Sequence, residues 1–164
     1  MALVCISIGS NLNNPYNQVE TAIASICELP KTQLDARSQL YQTQPWGVED
    51  QPDFINAVLG IETELDPATL LTALQQIERA QGRERTSKWG PRVIDLDIIC
   101  YAQITQDEPN LTLPHPFFSQ RCFVLMPLKD VYPDLVINQQ SCRQWFDNYI
   151  RKHKDEPLPL LVSL

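Results

Sequence analysis

Three observations on this sequence predict an α+β fold. Runs with a strand's two-residue alternation and runs with a helix's 3.6-residue stripe follow one another in the order β-α-β-β-α-β. Proline, glycine and asparagine punctuate those runs at their ends. The chain has 164 residues, of which 43% are hydrophobic, enough for a true core in one domain spanning residues 1–164. That order predicts a ferredoxin-like core: a four-stranded antiparallel sheet with two helices packed on one face, followed by a C-terminal extension.

Residues 3–8 read as the first strand, stopped by Gly9-Ser10-Asn11. Pro15 stands where a helix starts, with Asn14 as its N-cap. Val19, Ala22, Ile23, Ile26 and Cys27 make that helix's apolar stripe before Leu29-Pro30 ends it. Residues 34–41 alternate as a strand, and residues 43–53 are rich in turn formers. Residues 54–63 are the next strand, with Gly60 read as a bulge. Asp66-Pro67 opens a helix that buries Leu70, Leu71, Leu74 and Ile77 and ends at Gly82. A strand around Asp95 and Asp97 completes the pattern. Beyond it, residues 111–116 are extended, residues 117–128 begin as a short helix, and residues 141–150 are helical. Residues 158–164 are apolar and show no partner in the sequence.

Composition narrows the function. A net charge of −7 argues against a nucleic-acid surface. No run approaches the roughly 18 apolar residues of a membrane span, and residues 1–8 are too short for a signal sequence. Cysteines 5, 27, 100, 122 and 142 are odd in number and scattered, which suits reduced core thiols in a cytoplasmic protein. With His115 and His153 as the two histidines, a zinc site is not expected.

The most informative run is Trp89-Gly-Pro-Arg92-Val-Ile-Asp95-Leu-Asp97-Ile-Ile-Cys100-Tyr101. Strand periodicity puts Asp95 and Asp97 on one face, about 6–7 Å apart along the strand. Alone, such a pair also fits the solvated face of an edge strand. Val93, Ile99 and Tyr101, expected on the same face, favour burial, and buried carboxylates call for bound cations. Just upstream, Arg83, Arg85, Lys88 and Arg92 crowd a segment bounded by Gly82 and Gly90-Pro91. Mutual repulsion of these cations predicts a segment that is mobile until a polyphosphate arrives. Metal carboxylates beside clustered guanidinium groups are the ingredients of phosphoryl transfer.

Further pieces complete a pattern: Ile8-Gly-Ser-Asn-Leu12, Tyr41-x-Thr43-x-Pro45-x-Gly47, Asp50-Gln-Pro-Asp-Phe-Ile-Asn56-Ala57 and Gln75-x-Ile-Glu78. They continue with Gly82-Arg83-x-Arg85, the Asp95-Leu-Asp97 run, Leu113-Pro-His115-Pro, and Arg121-x-Phe123-Val-Leu-x-Pro127-Leu. In this order and spacing the chain resembles the 6-hydroxymethyl-7,8-dihydropterin pyrophosphokinases of folate biosynthesis over nearly its whole length. The resemblance implies a ferredoxin-like fold and a monomeric cytoplasmic enzyme. It implies transfer of the β,γ-pyrophosphoryl group of ATP to the pterin's hydroxymethyl oxygen, releasing AMP.

By the same resemblance, Asp95 and Asp97 would hold two Mg²⁺ ions. Arg83 and Arg92 would act on the phosphates, with Arg85 and Lys88 in a loop closing over ATP. Gln75, Glu78, Trp89, Ile98, Thr112, His115 and Arg121 would complete the nucleotide site. Thr43, Pro45, Trp46, Phe54, Asn56, Trp89 and Phe123 would form the pterin pocket. Asn56 and Phe54 share a strand face, and an amide can match the pterin's amino-keto edge while aromatic faces stack on the ring. Taken singly, Phe54, Phe123 and Trp46 also fit core packing, His115 a turn between prolines, and Arg121 a surface helix charge. Gln44 stands where relatives often carry Pro, and Phe54 where some carry Tyr. Asn110 replaces an arginine of some members, and the segment between Arg85 and Trp89 is one residue shorter than in some.

Two rival readings have identifiable signatures. An RNA-recognition module shares the β-α-β-β-α-β order, but needs a basic aromatic strand where this chain has Phe-Ile-Asn56-Ala-Val-Leu-Gly60. A regulatory nucleotide-binding domain would lack paired metal carboxylates.

Overall fold

The computed structural model describes residues 1–45, 50–82 and 92–162. Strand β1 (Ala2–Ser10) leads into helix α1 (Pro15–Cys27). Asn14 occupies the N-cap as expected, but at φ 64° its side chain makes no capping bond. Pro15 at the first helical position and the Gln18 N–H to Asn14 carbonyl bond (3.1 Å) start the helix instead. Strands β2 (Thr32–Arg37), β3 (Tyr41–Thr43) and β4 (Phe54–Thr63) follow. Helix α2 (Pro67–Ala80) opens on Asp66, whose carboxylate accepts the Thr69 N–H at 2.7 Å. Strand β5 (Asp95–Tyr101) carries the two aspartates. Hairpin β6 (Gln106–Glu108) and β7 (Leu111–Leu113), a 3₁₀ turn (Phe118–Gln120) and helix α3 (Cys122–Val131) come next. The small hairpin β8 (Val136–Ile137) and β9 (Gln140–Ser141), helix α4 (Cys142–Lys152) and strand β10 (Leu160–Leu161) complete the order. Among the described residues no helix is long and apolar enough to cross a membrane.

The main sheet is antiparallel in the order β10-β3-β4-β1-β5, with β2 also on β4. It therefore has six strands where four were expected. One reason is Ser38, which divides the expected strand 34–41. Its N–H donates to the Val58 carbonyl (2.9 Å) while its hydroxyl accepts the Val58 N–H (2.8 Å). The side chain takes a ladder bond, so β2 pairs with one half of β4 and β3 with the other. The second reason is the apolar segment 158–164, part of which becomes β10 on the outer edge of β3.

Helices were expected on one face, yet both faces are covered. Ile6, Ile8, Leu59 and Ile61 pack under α1 and α2 with Val19, Ile26, Leu70 and Leu74. Cys5, Val58, Ile99 and Cys100 pack under α3 and α4 with Val124, Leu125, Leu128 and Cys142. Strands buried on both sides explain why β1 and β5 read as almost continuous apolar runs.

Two irregularities correct the sequence reading. Between β1 and β5, Cys5 pairs with Cys100 but Ile6 pairs with Ile98, so Ile99 is the extra residue of a bulge. The face alternation resets there. Ile99 and Cys100 both pack toward α3 and α4, and Tyr101 lies in the opposite core rather than on the aspartates' face. The second bulge lies on β2, where Asp35 is extra opposite Ile61 and Gly60. Gly60 is therefore not itself bulged. It is glycine because a Cβ would collide with the Tyr132 hydroxyl, which crosses the sheet to donate to Asp35. Gly60→Ala should lower stability by about 1–3 kcal/mol through this overlap. In a Tyr132→Ala background the same change should cost nearly nothing in urea unfolding, and equal costs in both backgrounds would contradict the steric account.

Candidate active site

Cross-strand pairing brings the notable side chains into one row. Asn56 on β4 pairs with Gly9 on β1, and Gly9 pairs with Asp95 on β5. One step along, Val58, Ser7 and Asp97 form the next row. At about 4.8 Å per strand, Asn56 and Asp95 have backbones about 10 Å apart on the same sheet. Gly9 keeps the row open, since a Cβ there would come within 2.8 Å of Asn56 Oδ1.

Above these rows lies a cavity of about 430 Å³. Thr43, Gln44, Phe54 and Asn56 line one end, over Ser7 and Gly9. Leu71, Gln75 and Glu78 of α2, with Leu96, line the end beyond the β5 edge. Asp95, Asp97 and Arg92 lie between, faced by His115, Phe117, Arg121 and Phe123.

The charges are held in place from several directions. Arg92 Nη1 donates to Asp95 Oδ2 at 2.7 Å, and Arg121 Nη1 lies 3.9 Å from Asp97 Oδ2. Burial, then repulsion from Asp95, pushes the Asp97 carboxyl up to about 7 despite the pull of Arg121. Burial also lowers the basicity of the Arg121 guanidinium, against the pull of Asp97 and Asp95. Its carbon sits 5.7 Å from the Phe117 ring centroid and 5.8 Å from that of Phe123. Burial first, then Arg121, lowers His115 to about 4, so its ring is neutral at pH 7. His115 Nδ1 accepts the Phe117 N–H at 3.0 Å, which leaves the ring proton on Nε2. Asn56 Nδ2 donates to Thr43 Oγ1 at 2.6 Å.

Two residues act on the backbone. Glu78, buried in the last turns of α2, accepts the Leu96 N–H at 2.9 Å and so holds β5 between its two aspartates. Asn11, fully buried, accepts the Arg92 N–H at 2.8 Å and donates its own N–H to the Arg92 carbonyl at 3.0 Å. Its amide nitrogen also donates to Gln51 Oε1 and the Pro52 carbonyl, both at 2.9 Å. It thus joins the segment before β4 to the segment before β5.

The structure brings together Thr43, Phe54, Asn56, Gln75, Glu78, Arg92, Asp95, Asp97, His115, Arg121 and Phe123, as the sequence suggested. It does not bring in three others. The Ile98 side chain packs in the core under α1 and α2, because strand alternation turns it away from Asp97. Thr112 pairs with Asp107 in the β6–β7 hairpin, and neither it nor Pro45 lines the cavity. Trp46, Arg83, Arg85, Lys88 and Trp89, with the expected mobile segment, lie outside the described residues. Sequence reasoning gave no role to Gly9, Asn11 or Gln44. The Ile8-Gly-Ser-Asn-Leu12 run was a signal for the first two, but their work depends on β4 and the segment around Arg92. Asn110, at the position expected to carry an arginine in some members of the family, does line the cavity.

Residues 5–133 match the family described as 7,8-dihydro-6-hydroxymethylpterin-pyrophosphokinase (HPPK). The chain is similar to the 2-amino-4-hydroxy-6-hydroxymethyldihydropteridine pyrophosphokinase of Haemophilus influenzae, with 46% identity over 138 residues, 84% of this chain and 86% of that protein. The Methylorubrum extorquens protein of the same name is 40% identical over 144 residues, 88% of this chain and 91% of that protein. Among solved structures, a Plasmodium falciparum HPPK-DHPS aligns with TM-score 0.73 and 16% identity over 94% of this chain. The chain spans 45% of the length of that structure, and the likeness is one of fold.

The raised Asp97 carboxyl has a stability consequence in metal-free protein. With its carboxyl pushed up to about 7, folded Asp97 keeps its proton at pH values where an unfolded aspartate, near 3.8, has already lost it. Between those values the folded state binds more protons, so this group's contribution to stability falls as pH rises. Asp97→Asn should therefore stabilise the protein in EDTA by roughly 1–2 kcal/mol at pH 8, after discounting for solvent screening. At pH 4 the gain should largely disappear. Urea unfolding at both pH values would measure this, and a pH-independent gap would refute it.

Proposed function

This chain belongs to the 7,8-dihydro-6-hydroxymethylpterin-pyrophosphokinase family, and from that membership we infer how its cavity works. The enzyme is an ATP:pterin diphosphokinase that transfers a pyrophosphoryl group from ATP to hydroxymethyl-dihydropterin in folate biosynthesis. The observation that carries the residue assignments is the row Asn56–Gly9–Asp95. It sets an amide suited to a pterin edge about 10 Å across the sheet from carboxylates suited to a cation.

At the pterin end, Thr43 occupies one donor of the Asn56 amide. The Oδ1 acceptor and the second N–H are then aligned for the amino-keto edge of the ring. Phe54 and Phe123 offer aromatic faces, and Gly9 supplies the clearance. At the other end, Gln75 and Glu78 of α2 flank the space for the nucleoside.

Asp95 and Asp97 would hold magnesium, for which their hard oxygen donors, and the resistance of Asp97 to ionising without a cation, are a fit. Two bound Mg²⁺ ions would supply charge neutralisation on the triphosphate and acidify the pterin hydroxyl. Arg92 and Arg121 lie beside those carboxylates, so their guanidinium groups can fork onto phosphate oxygens as charge builds there. Neutral His115 presents an Nε2–H donor that neither adds to nor competes with that charge. A cytoplasmic setting is part of the same reading, in keeping with five free cysteines.

Asp95→Ala and Asp97→Ala should each lower turnover by roughly 10³-fold or more in an assay of AMP release from ATP plus hydroxymethyl-dihydropterin. Both variants should remain folded by circular dichroism, and near-normal turnover in magnesium would overturn the metal assignment. Asn56→Ala should weaken pterin binding by about 1–3 kcal/mol, with nucleotide affinity little changed in calorimetry. Equal loss of both ligands would make Asn56 structural instead.

A further inference from the structure

Residues 158–162 line no part of the active-site cavity, yet they are built onto the strand that carries one of its walls. Pro159 is buried and Val162 packs against the core beneath α1 and α2. Between them, Leu160 and Leu161 are 68% and 56% exposed. Burial of these two side chains is therefore not what holds the pair; between the flanking anchors Pro159 and Val162, the backbone ladder is. Leu160 pairs with Gln42 and Leu161 with Tyr41, and the Val162 N–H donates to the Leu40 carbonyl at 3.0 Å. Antiparallel ladders bond alternate pairs, so the Leu160–Gln42 pair is the next one that exchanges hydrogen bonds.

The strand it supports is short. β3 has three residues, and on its other side Tyr41 pairs with Asn56 and Thr43 with Phe54. Thr43 is the last of them, and its hydroxyl fixes the Asn56 amide. A three-residue strand bonded on one side alone would fray from its end. The Tyr41 hydroxyl bond to Asp130 anchors the far end of β3, while the Gln42 side chain bonds Asp53 at 3.0 Å. The β10 ladder is the backbone support opposite β4.

We infer that Leu160–Val162 is a positioning element for the pterin end of the active site. By doubling the ladder on β3 it holds Thr43 against Asn56, so the amide is oriented before the substrate arrives. This rests on the reading that Thr43 and Asn56 face the pterin. Fraying of β3 lowers the fraction of molecules competent to bind, and the apparent affinity falls by that fraction. The nucleotide end stands on α2 and β5, across the sheet from β10, and is not affected.

The test separates backbone from side chain. Leu160→Pro removes the ladder N–H, whereas Leu160→Ser keeps it and changes only an exposed side chain. Leu160→Pro should raise the pterin Kd roughly three- to tenfold, the effect of about one lost hydrogen bond, with ATP affinity within about twofold of wild type. Its kcat at saturating pterin should be retained, and Leu160→Ser should match wild type throughout. If the proline variant loses its cooperative melting transition, deletion of residues 160–164 should give the same split between ligands. Unchanged pterin affinity, equal loss of ATP affinity, or equal effects of Ser and Pro would each overturn the inference. Asn56→Ala run alongside separates the two readings. Weakened pterin binding there, with none in Leu160→Pro, removes the role of β10 and leaves the pocket standing; no effect of Asn56→Ala removes the pocket itself.

Discussion

Two carboxylates two residues apart on one strand repel each other, and each step of burial strengthens that repulsion. In this protein Asp95 and Asp97 stand in that relation on β5, and much of the surrounding structure serves to hold them there. Arg92 and Arg121 bring positive charge to their oxygens. Glu78 grips the Leu96 N–H between them, and Asn11 grips both backbone groups of Arg92. Burial and the neighbouring Asp95 still push the Asp97 carboxyl up, against the pull of Arg121. Such an arrangement works against stability, as perturbed carboxylates in functional clefts commonly do.

The sheet converts that local arrangement into a device with two ends. Adjacent strands set a fixed spacing, and β1 lies between the strand that bears the amide and the strand that bears the carboxylates. Gly9 keeps this middle strand low beside Asn56, since a Cβ there would come within 2.8 Å of Asn56 Oδ1. Helices cover both faces of the sheet, with α1 and α2 on one side and α3 and α4 on the other. The bulge at Ile99 lets β5 present aspartates at one end of its length and fill the core at the other.

Support for the two ends comes from different parts of the chain. α2 and the hairpin region serve the carboxylate end, since Glu78 bonds Leu96 and the His115 N–H donates to the Ile99 carbonyl at 2.8 Å. The amide end depends on β3, which is braced by Asp130 of α3 and by the ladder with β10. Asn11 joins the two ends, because its amide reaches the segment before β4 while its backbone and carbonyl oxygen hold Arg92.

By itself the sequence determined the α+β class, the positions in the chain of the two core helices, one before and one after β4, and the placing of Asp95 and Asp97 on one face. These follow from local periodicity, and from Pro15, Asp66 and Pro67 at helix starts. It also carried the ordered motifs by which the family and most of the cavity residues could be named. Tertiary structure alone decided the rest. A bulge at Ile99 arises from register against β1, so no reading of β5 in isolation could move Tyr101 to the other face. Gly60 looked like a bulge because a glycine inside a strand has two uses, and only the approach of Tyr132 chooses between them. Asn11 and Glu78 act on backbone groups 81 and 18 residues away, which leaves no periodic trace in the sequence. The same holds for β10, whose exposed leucines look like an unpartnered tail because backbone hydrogen bonds, unlike side-chain burial, place few demands on residue type.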